Sequence, residues 1–405
     1  MKLVRGASVR LRHGAAAAVA ATAVLALAAG CAGSSLDQPA AESSASKGAA
    51  VKVGLLVPLS GVYAPLGKDM KNGFDLYLDQ HDGKLGGREA KVTEADEGEG
   101  PQTGVPAATK LVQQDKVAAV VGVVNSAIAL GVRNLFDEAK IPLVIANAGA
   151  NDITGSQASD YVWRTAFSNA AVNEAIGATV AKDMAGKSVY ILAPDYAAGK
   201  EQMAGFKKTF TAAGGKVAGE QYTPFGKTQD FQPYLSKAER SGAAAVYAFY
   251  AGAEAVAFVK QYDQFGLSDK MPLYGSGFLT EGGVLAAQGG AAIGIKTSLH
   301  YSNQLDNPEN AAFVKAYQAA YDASPTVYSV QAYDAAAALD KALKAADDES
   351  GAAIAKALGT VGEIASPRGP WRFGANHDPE QTYYLREVKE QNGAVVNAVI
   401  GELTN

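Results

Sequence analysis

Cysteine is almost absent from this chain of 405 residues, and the single one, Cys31, limits the chemistry that the protein can carry. One cysteine excludes a disulfide within the chain and any metal site built from several thiolates. Histidine is also scarce, and no metal-ligand spacing links the four residues His13, His81, His300 and His377. We interpret the last three as solvated or capping residues, and we predict neither a metal site nor a cofactor.

The motifs of nucleotide-binding and hydrolytic enzymes are missing as well. No G-x-G-x-x-G follows a predicted strand, and no G-x-S-x-G occurs. Residues 61–69 come nearest to a P-loop, but the two glycines are spaced wrongly and Asp69 replaces the Ser or Thr that holds Mg²⁺. The acidic run 96–99 lacks EF-hand spacing, and we interpret it as a solvated loop. The sequence therefore predicts a protein that is not an enzyme, with a secreted amidase or hydrolase as the alternative.

Basic residues are fewer than acidic ones, so the formal net charge of the chain is −5. The first 30 residues carry four basic residues and no acidic ones, so the remainder has a net charge near −9. A mildly acidic surface argues against a nucleic-acid partner. No apolar run in residues 51–405 reaches the roughly 20 residues that a membrane-spanning helix needs.

The amino terminus has the pattern of a secretion signal. Basic residues are followed by an apolar run, residues 15–29, and by small residues before Cys31. Residues 27–31 resemble the lipobox of bacterial lipoproteins, although Leu27 stands one place earlier than the usual large aliphatic residue. We predict a signal peptide over 1–30 and, over 31–50, a lipid anchor on Cys31 followed by a flexible tether. The expected location is the cell envelope, on the outer face of the cytoplasmic membrane or the periplasmic side.

Short β-rich runs alternate with helical segments along the rest of the chain. The predicted strands cover 51–58, 118–124, 143–146, 189–193, 216–222, 244–250 and 273–275. The predicted helices cover 64–79, 127–139, 200–213, 231–241, 254–265, 309–321 and 327–346. We interpret the apolar stripes of the last two helices as core packing. The chain is too long for one ordinary core, so two such series predict two α/β lobes with parallel sheets.

An ordered series of short motifs points to a known family. The opening VGLLVPLSG of residues 53–61 is followed by motifs at 141–143, 147–150, 163–165, 195–199, 230–231, 275–277 and 366–370. The set resembles the branched-chain amino-acid (Leu/Ile/Val) binding proteins of ABC transporters and covers almost the whole body. The resemblance implies a type I periplasmic binding protein fold, an α/β fold of two Rossmann-like lobes joined by three crossing strands. We place lobe 1 at 51–167 plus 300–382 and lobe 2 at 168–299 plus 383–405, with crossings near 165–169, 297–301 and 381–384.

The resemblance also implies where a ligand binds, in the cleft at the carboxyl ends of the strands. Asn125 and Ser126 start a helix whose positive end suits a carboxylate, although plain N-capping also explains them. Rings near the cleft could stack on a flat ligand or pack in the core. The expected ligand-binding residues are Tyr63, Leu66, Asn125, Ser126, Ala148, Ala150, Asn169, Tyr196, Ala198, Tyr250 and Phe278.

Several positions depart from the amino-acid binders. Ala150 stands where the family usually has Thr, and Asn169 stands where it has the Asp that pairs with the ligand ammonium. The second expected acid aligns with Gly277, and Glu281 fits only with a gap. A buried ammonium without a carboxylate is costly, so these changes favour a less polar ligand, an aromatic carboxylate above all.

The function that the resemblance implies is that of a monomeric solute-binding protein, which hands an amino acid or aromatic acid to ABC permease subunits. A ligand-sensing receptor that acts with a separate membrane partner is the alternative.

Overall fold

The computed structural model of the protein describes residues 49–403. The predicted signal peptide, Cys31 and nearly all of the predicted tether lie outside these residues. Across residues 49–403, no helix has the length and apolar character that a bilayer crossing requires. Strands and helices alternate there as the sequence predicts.

The strands are β1 (Val51–Val57), β2 (Lys84–Leu85), β3 (Arg88–Asp96), β4 (Ala119–Gly122), β5 (Leu143–Ile145), β6 (Val162–Arg164), β7 (Ser188–Pro194), β8 (Lys216–Thr223), β9 (Ala245–Ala248), β10 (Leu273–Ser276), β11 (Lys296–Leu299), β12 (Arg372–Phe373), β13 (Pro379–Glu380), β14 (Tyr383–Gln391) and β15 (Ala394–Leu403). The helices are α1 (Ala64–Gln80), α2 (Pro101–Lys110), α3 (Ser126–Ala139), α4 (Asn169–Met184), α5 (Ala197–Ala212), α6 (Gln232–Arg240), α7 (Gly252–Gln264), α8 (Gly283–Gln288), α9 (Pro308–Tyr321), α10 (Val327–Ala345) and α11 (Gly351–Leu358).

The first lobe is built on a sheet of strand order β2-β3-β1-β4-β5-β6. β1, β3, β4, β5 and β6 pair in parallel, and β2 joins β3 in an antiparallel pair. Both faces of β1 are buried, which explains its continuous apolar run: Leu55 packs into the core with α1 and α10, and Leu56 packs into the core with α2 and α3. Helices therefore cover the sheet on both sides.

The second lobe is built on a sheet of strand order β15-β14-β11-β10-β9-β7-β8. β7 to β11 are parallel, but β14 and β15 form an antiparallel hairpin at the edge, so this sheet is mixed rather than purely parallel as predicted. The hairpin turns at Asn392 and Gly393, both with positive φ (53° and 78°). Asn-Gly is the preferred pair for such a two-residue turn, so the sequence did contain the signal.

The chain passes between the two lobes three times. The passages are residues 165–168, 300–307 and 381–382, which carry no regular secondary structure. After the second passage, α9 and α10 pack against α1, and after the third, β14 joins the second sheet. Each lobe is thus assembled from segments that are far apart in the sequence.

Gly73 allows α1 and α10 to pack closely. A Cβ at this position would collide with the backbone carbonyl of Ser329 in α10. We expect Gly73→Ala to lower the free energy of unfolding by about 1–3 kcal/mol, measured by urea denaturation. Gly131→Ala is the matched control, because the nearest atom to its new Cβ is a side-chain carbon of Val105 at 3.4 Å. The control gains helix propensity and should be neutral or stabilising by up to about 1 kcal/mol. Equal effects of the two substitutions would contradict the close-packing account.

Candidate functional site

A cavity of about 470 Å³ lies between the two lobes, at the carboxyl ends of their strands. Ligands bind at this edge in open α/β sheets, because the strand ends leave a crevice there. Aromatic side chains from both lobes dominate the wall: Tyr63, Phe167, Tyr196, Phe225, Phe249, Phe278 and Tyr328. The cavity has the size and apolar character of a small-molecule site.

Most of the residues predicted to bind ligand line this cavity. Those that do are Tyr63, Leu66, Asn125, Ser126, Ala150, Asn169, Tyr196, Ala198 and Phe278. They come from loops and the first turns of helices scattered between residues 63 and 278, which the two-lobed fold brings to one place.

Ala148 and Tyr250 do not line the cavity. Ala148 is fully buried in the core of the first lobe, and its N–H donates to the carbonyl of Val123. Tyr250 is also fully buried, with its hydroxyl 3.3 Å from Thr223 Oγ1. Successive residues at the end of a strand point to opposite faces, so Phe249 faces the cavity and Tyr250 faces the core.

The start of α3 combines a helix cap with a free hydroxyl. The side-chain oxygen of Asn125 accepts the N–H of Ala127 at 2.8 Å, and its amide nitrogen donates to the carbonyl of Glu99 at 3.0 Å. Asn125 is therefore the N-cap, and its side chain is fully used. Ser126 Oγ accepts the N–H of Ala150 at 3.1 Å, which leaves the hydroxyl proton of Ser126 available to a ligand.

The acidic run 96–99 is not the solvated loop that we predicted. Glu97 is fully buried, and its carboxylate accepts the N–H groups of Val124 at 2.9 Å and Asn125 at 3.1 Å. Burial raises the pKa of Glu97 to about 7, while the two backbone N–H groups act against that rise. Asp96 accepts the backbone N–H of Leu59 and the hydroxyl of Ser60. These carboxylates hold the loops around the start of α3 in place.

The cavity wall offers an anion neutral donors and helix starts rather than cationic side chains. Among the lining residues, all within the described part of the chain, there is no lysine, arginine or histidine. Helices α5 and α7 begin at the cavity, and their N-cap residues, Tyr196 and Ala251, provide no side-chain cap. The first turn of α5 carries no acidic residue, so its positive end remains available to negative charge, whereas α7 carries Glu254 in its first turn.

The wall offers little to a ligand ammonium. Glu281 lies outside the cavity lining, where its carboxylate pairs with Arg386 at 2.7 Å and accepts the N–H of Val327 at 2.8 Å. Asn169 donates to Glu201 at 2.8 Å, so that neighbouring carboxylate is also engaged. Glu99 does line the cavity, but it is exposed at the outer edge.

Comparison with known proteins settles the family. The sequence profile described as "Periplasmic binding protein" matches residues 50–394 of this chain. The chain belongs to the periplasmic binding protein family.

Relatives of this periplasmic binding protein are solute-binding proteins rather than enzymes. A Leu/Ile/Val-binding protein homolog 6 of Brucella melitensis is 34% identical over 361 residues, which cover 86% of this chain and 90% of the relative. A solute-binding protein of an ABC transporter from R. palustris, solved in complex with benzoate, is 40% identical with a TM-score of 0.79, covering 88% of this chain and 98% of that one. A second R. palustris protein, solved with 4-hydroxybenzoate, is 32% identical with a TM-score of 0.81 and the same coverage. This chain is thus a solute-binding protein of the Leu/Ile/Val-binding family.

His300 of this binding protein is not solvated, contrary to our prediction. It is fully buried in the second passage, where its ring lies 5.9 Å from Phe167 of the first passage and 6.2 Å from Tyr383, just after the third. Burial, with Arg368 and Arg386 nearby, lowers its pKa well below the usual value. His300 is therefore a neutral side chain packed among the three passages.

The other two described histidines lie against aromatic rings. His81 directly follows α1, as a capping residue would, and its ring stacks 3.9 Å from Tyr77. His377 stacks 3.5 Å from Trp163, half-buried.

Sequence reasoning missed several of the rings in the binding protein's cavity. The sequence predicts core packing for the whole of α10, but Tyr328 lies in the first turn of that helix and reaches the cavity. The sequence also favours Tyr250 as a cavity residue, whereas its neighbour Phe249 is the one that lines the cavity. Phe225 lies in a loop of no periodic pattern, so no sequence signal identified it.

Proposed function

We propose that this protein binds an aromatic carboxylate between its lobes and delivers it to the permease of an ABC importer. The observation that carries the proposal is the composition of the cavity wall: aromatic rings from both lobes, neutral hydrogen-bond donors, and no inner carboxylate free to pair with an ammonium. Two similar solute-binding structures that hold benzoate and 4-hydroxybenzoate support this ligand class.

In this proposal the ligand carboxylate lies at the start of α3. The hydroxyl of Ser126 donates to it, and the positive end of the helix stabilises its charge. Glu97 shares this helix end through the N–H groups of Val124 and Asn125, and the pKa of about 7 that burial gives it lets it take up a proton when a second carboxylate binds nearby. Burial raises the pKa values of Tyr63, Tyr196 and Tyr328 above that of an ordinary tyrosine, so these hydroxyls stay neutral and do not repel an anion.

The ring of the ligand packs against the aromatic walls. Tyr196 and Phe225 stack on each other with centroids 4.1 Å apart at one side, and Phe278 and Tyr328 face each other across the lobes with centroids 6.4 Å apart. Stacked and edge-on ring contacts add about 0.5–1.5 kcal/mol each beyond the area they bury. An aliphatic amino-acid side chain would gain less from such a wall.

Transport follows from closure of the lobes about the three passages, a hinge motion common in binding proteins. Ligand shifts the population toward the closed form by its differential affinity, and a permease reads that form. A lipid on Cys31 would hold the monomeric protein at the outer face of the cytoplasmic membrane, next to the permease.

Thermal unfolding against a ligand panel tests the ligand class. Benzoate and hydroxybenzoates should each stabilise the protein, by about 2.7 kcal/mol at 100 times the dissociation constant. Leucine, isoleucine, valine and phenylalanine should shift the midpoint little, because each brings an ammonium that finds no free inner carboxylate. Benzamide is the matched neutral control, and it should bind more weakly than benzoate. A shift with leucine and its relatives but not with benzoate would overturn the proposal.

A further inference from the structure

A chain of hydrogen bonds links the cavity wall to the passages between the lobes. Asn147 lines the cavity and donates from Nδ2 to Oε1 of Gln331 at 2.8 Å. Nε2 of Gln331 lies 3.1 Å from Nε2 of His300. All three side chains are buried, and Gln331 and His300 completely so. This series of hydrogen bonds is separate from the capping at the start of α3.

The hydrogen bonds that join Asn147, Gln331 and His300 can be assigned donors and acceptors. The amide nitrogen of Gln331 faces Nε2 of His300 and can only donate, so Nε2 accepts in this arrangement. The proton of the neutral ring then lies on Nδ1, which is buried and has no hydrogen-bond partner within residues 49–403. A protonated His300 would place two donors face to face, and the guanidinium groups of Arg368 and Arg386 nearby disfavour a further positive charge. In this arrangement Gln331 bridges the two side chains: its nitrogen faces Nε2 of His300, and its oxygen accepts from Asn147.

The consequence at the cavity is a single oriented acceptor. With its nitrogen committed to Gln331, Asn147 presents its oxygen Oδ1, and no group of residues 49–403 donates a hydrogen bond to that atom. Asn147 Oδ1 is also not one of the side-chain atoms that are both buried and without a hydrogen-bond partner within residues 49–403. An oxygen acceptor repels a carboxylate and attracts an O–H or N–H group.

We propose that Asn147 is a specificity-determining residue that accepts a hydrogen bond from a ring hydroxyl, so that the cavity prefers hydroxylated aromatic acids over unsubstituted ones. The inference rests on the proposed function and adds the orientation of the ligand in the cavity. The carboxylate lies toward the donors at Ser126, and the hydroxyl lies toward Asn147. Gln331 and His300 act as positioning residues, since they touch the ligand only through Asn147. A ligand without the hydroxyl leaves Asn147 Oδ1 desolvated and unpaired, which is how binding sites reject such analogues.

Calorimetry on the wild-type protein tests the donor requirement directly. The series is benzoate, the three monohydroxybenzoate isomers, and the methoxybenzoate of whichever isomer binds best. We expect one hydroxy isomer to bind about tenfold more tightly than benzoate. The methoxy compound has a similar shape but no proton to donate, so it should lose that gain. If no hydroxy isomer binds better than benzoate, or if the methoxy compound binds as well as the hydroxy one, the role of Asn147 is refuted while the aromatic-acid function stands.

Two substitutions assign the effect to this chain of residues. In Asn147→Leu the ratio of benzoate to hydroxybenzoate dissociation constants should fall to near one. In Gln331→Met the amide of Asn147 loses its fixed orientation, and the same ratio should fall at least threefold. Asn134→Leu, on the exposed side of α3, is the matched control and should keep the wild-type ratio. An unchanged ratio in Asn147→Leu overturns the proposal. If no aromatic acid binds the wild-type protein, the proposed function itself fails, and the two failures are thus distinguishable.

Discussion

Ser126→Asp should raise the dissociation constant for benzoate at least about 100-fold. The new carboxylate would lie at the start of α3, where Ser126 Oγ now contacts the N–H of Ala150 and where we propose that the ligand carboxylate binds. Two unit charges about 4 Å apart repel by roughly 4 kcal/mol at an effective dielectric constant of 20. Asp is favourable in the first turn of a helix, so the fold should be retained. Calorimetric titration with benzoate measures the loss.

Ser350→Asp is the control for this substitution. Ser350 is the N-cap of α11, where its side chain accepts the N–H of Ala353, and Asp serves equally well at an N-cap. Ser350 is not a lining residue of the cavity, so the control should bind benzoate as the wild type does. If Ser126→Asp also keeps wild-type affinity, the carboxylate does not bind at α3.

Arg386→Met should lower the free energy of unfolding by about 3–5 kcal/mol. The guanidinium is fully buried and lies 2.7 Å from Glu281, which is itself only 6% exposed. Arg386 also donates to the carbonyls of Tyr301 at 2.9 Å and Gly277 at 2.9 Å. Removal of the cation leaves a buried carboxylate without its partner, which is far more costly than loss of an exposed ion pair. Urea denaturation measures the change.

A surface pair and a double variant test that explanation. Arg372 lies 2.7 Å from Glu380 with both side chains more than half exposed, so Arg372→Met should cost less than about 1 kcal/mol. Glu281→Gln in the Arg386→Met background removes the stranded charge and should recover part of the lost stability. If the double variant is no more stable than Arg386→Met, the loss comes from packing rather than from the carboxylate.

Local sequence patterns predicted the elements of the fold well where periodicity is strong. The buried run of β1 and the turn-spaced apolar residues of α1 lie within one or two residues of where they were expected. The predicted site residues Tyr63, Leu66, Asn125 and Ser126 also line the cavity. Such features depend on residues that are close together in the sequence, so a local sequence pattern is enough to predict them.

What the sequence did not predict depends on partners that lie far apart along the chain. The interpretation of Glu281 required knowing that Arg386 lies beside it, and His300 looked ordinary until Phe167 and Tyr383 were seen to pack on it. Whether Phe249 or Tyr250 lines the cavity depends on which face of the sheet each side chain points to at the end of β9, and the sequence does not specify this. Fold and family followed from pattern and resemblance, but the polarity of the cavity wall required the structure.

The three passages between the lobes also govern the order in which the protein can be made. A ribosome makes the chain amino terminus first, yet α1 packs against α10, and the second sheet is completed by β14 and β15 near the carboxyl end. Until those segments emerge, α1 keeps an uncovered apolar face and β11 an unpaired edge, so neither lobe can close its core early. The topology thus makes completion of both lobes wait for segments near the carboxyl end of the chain.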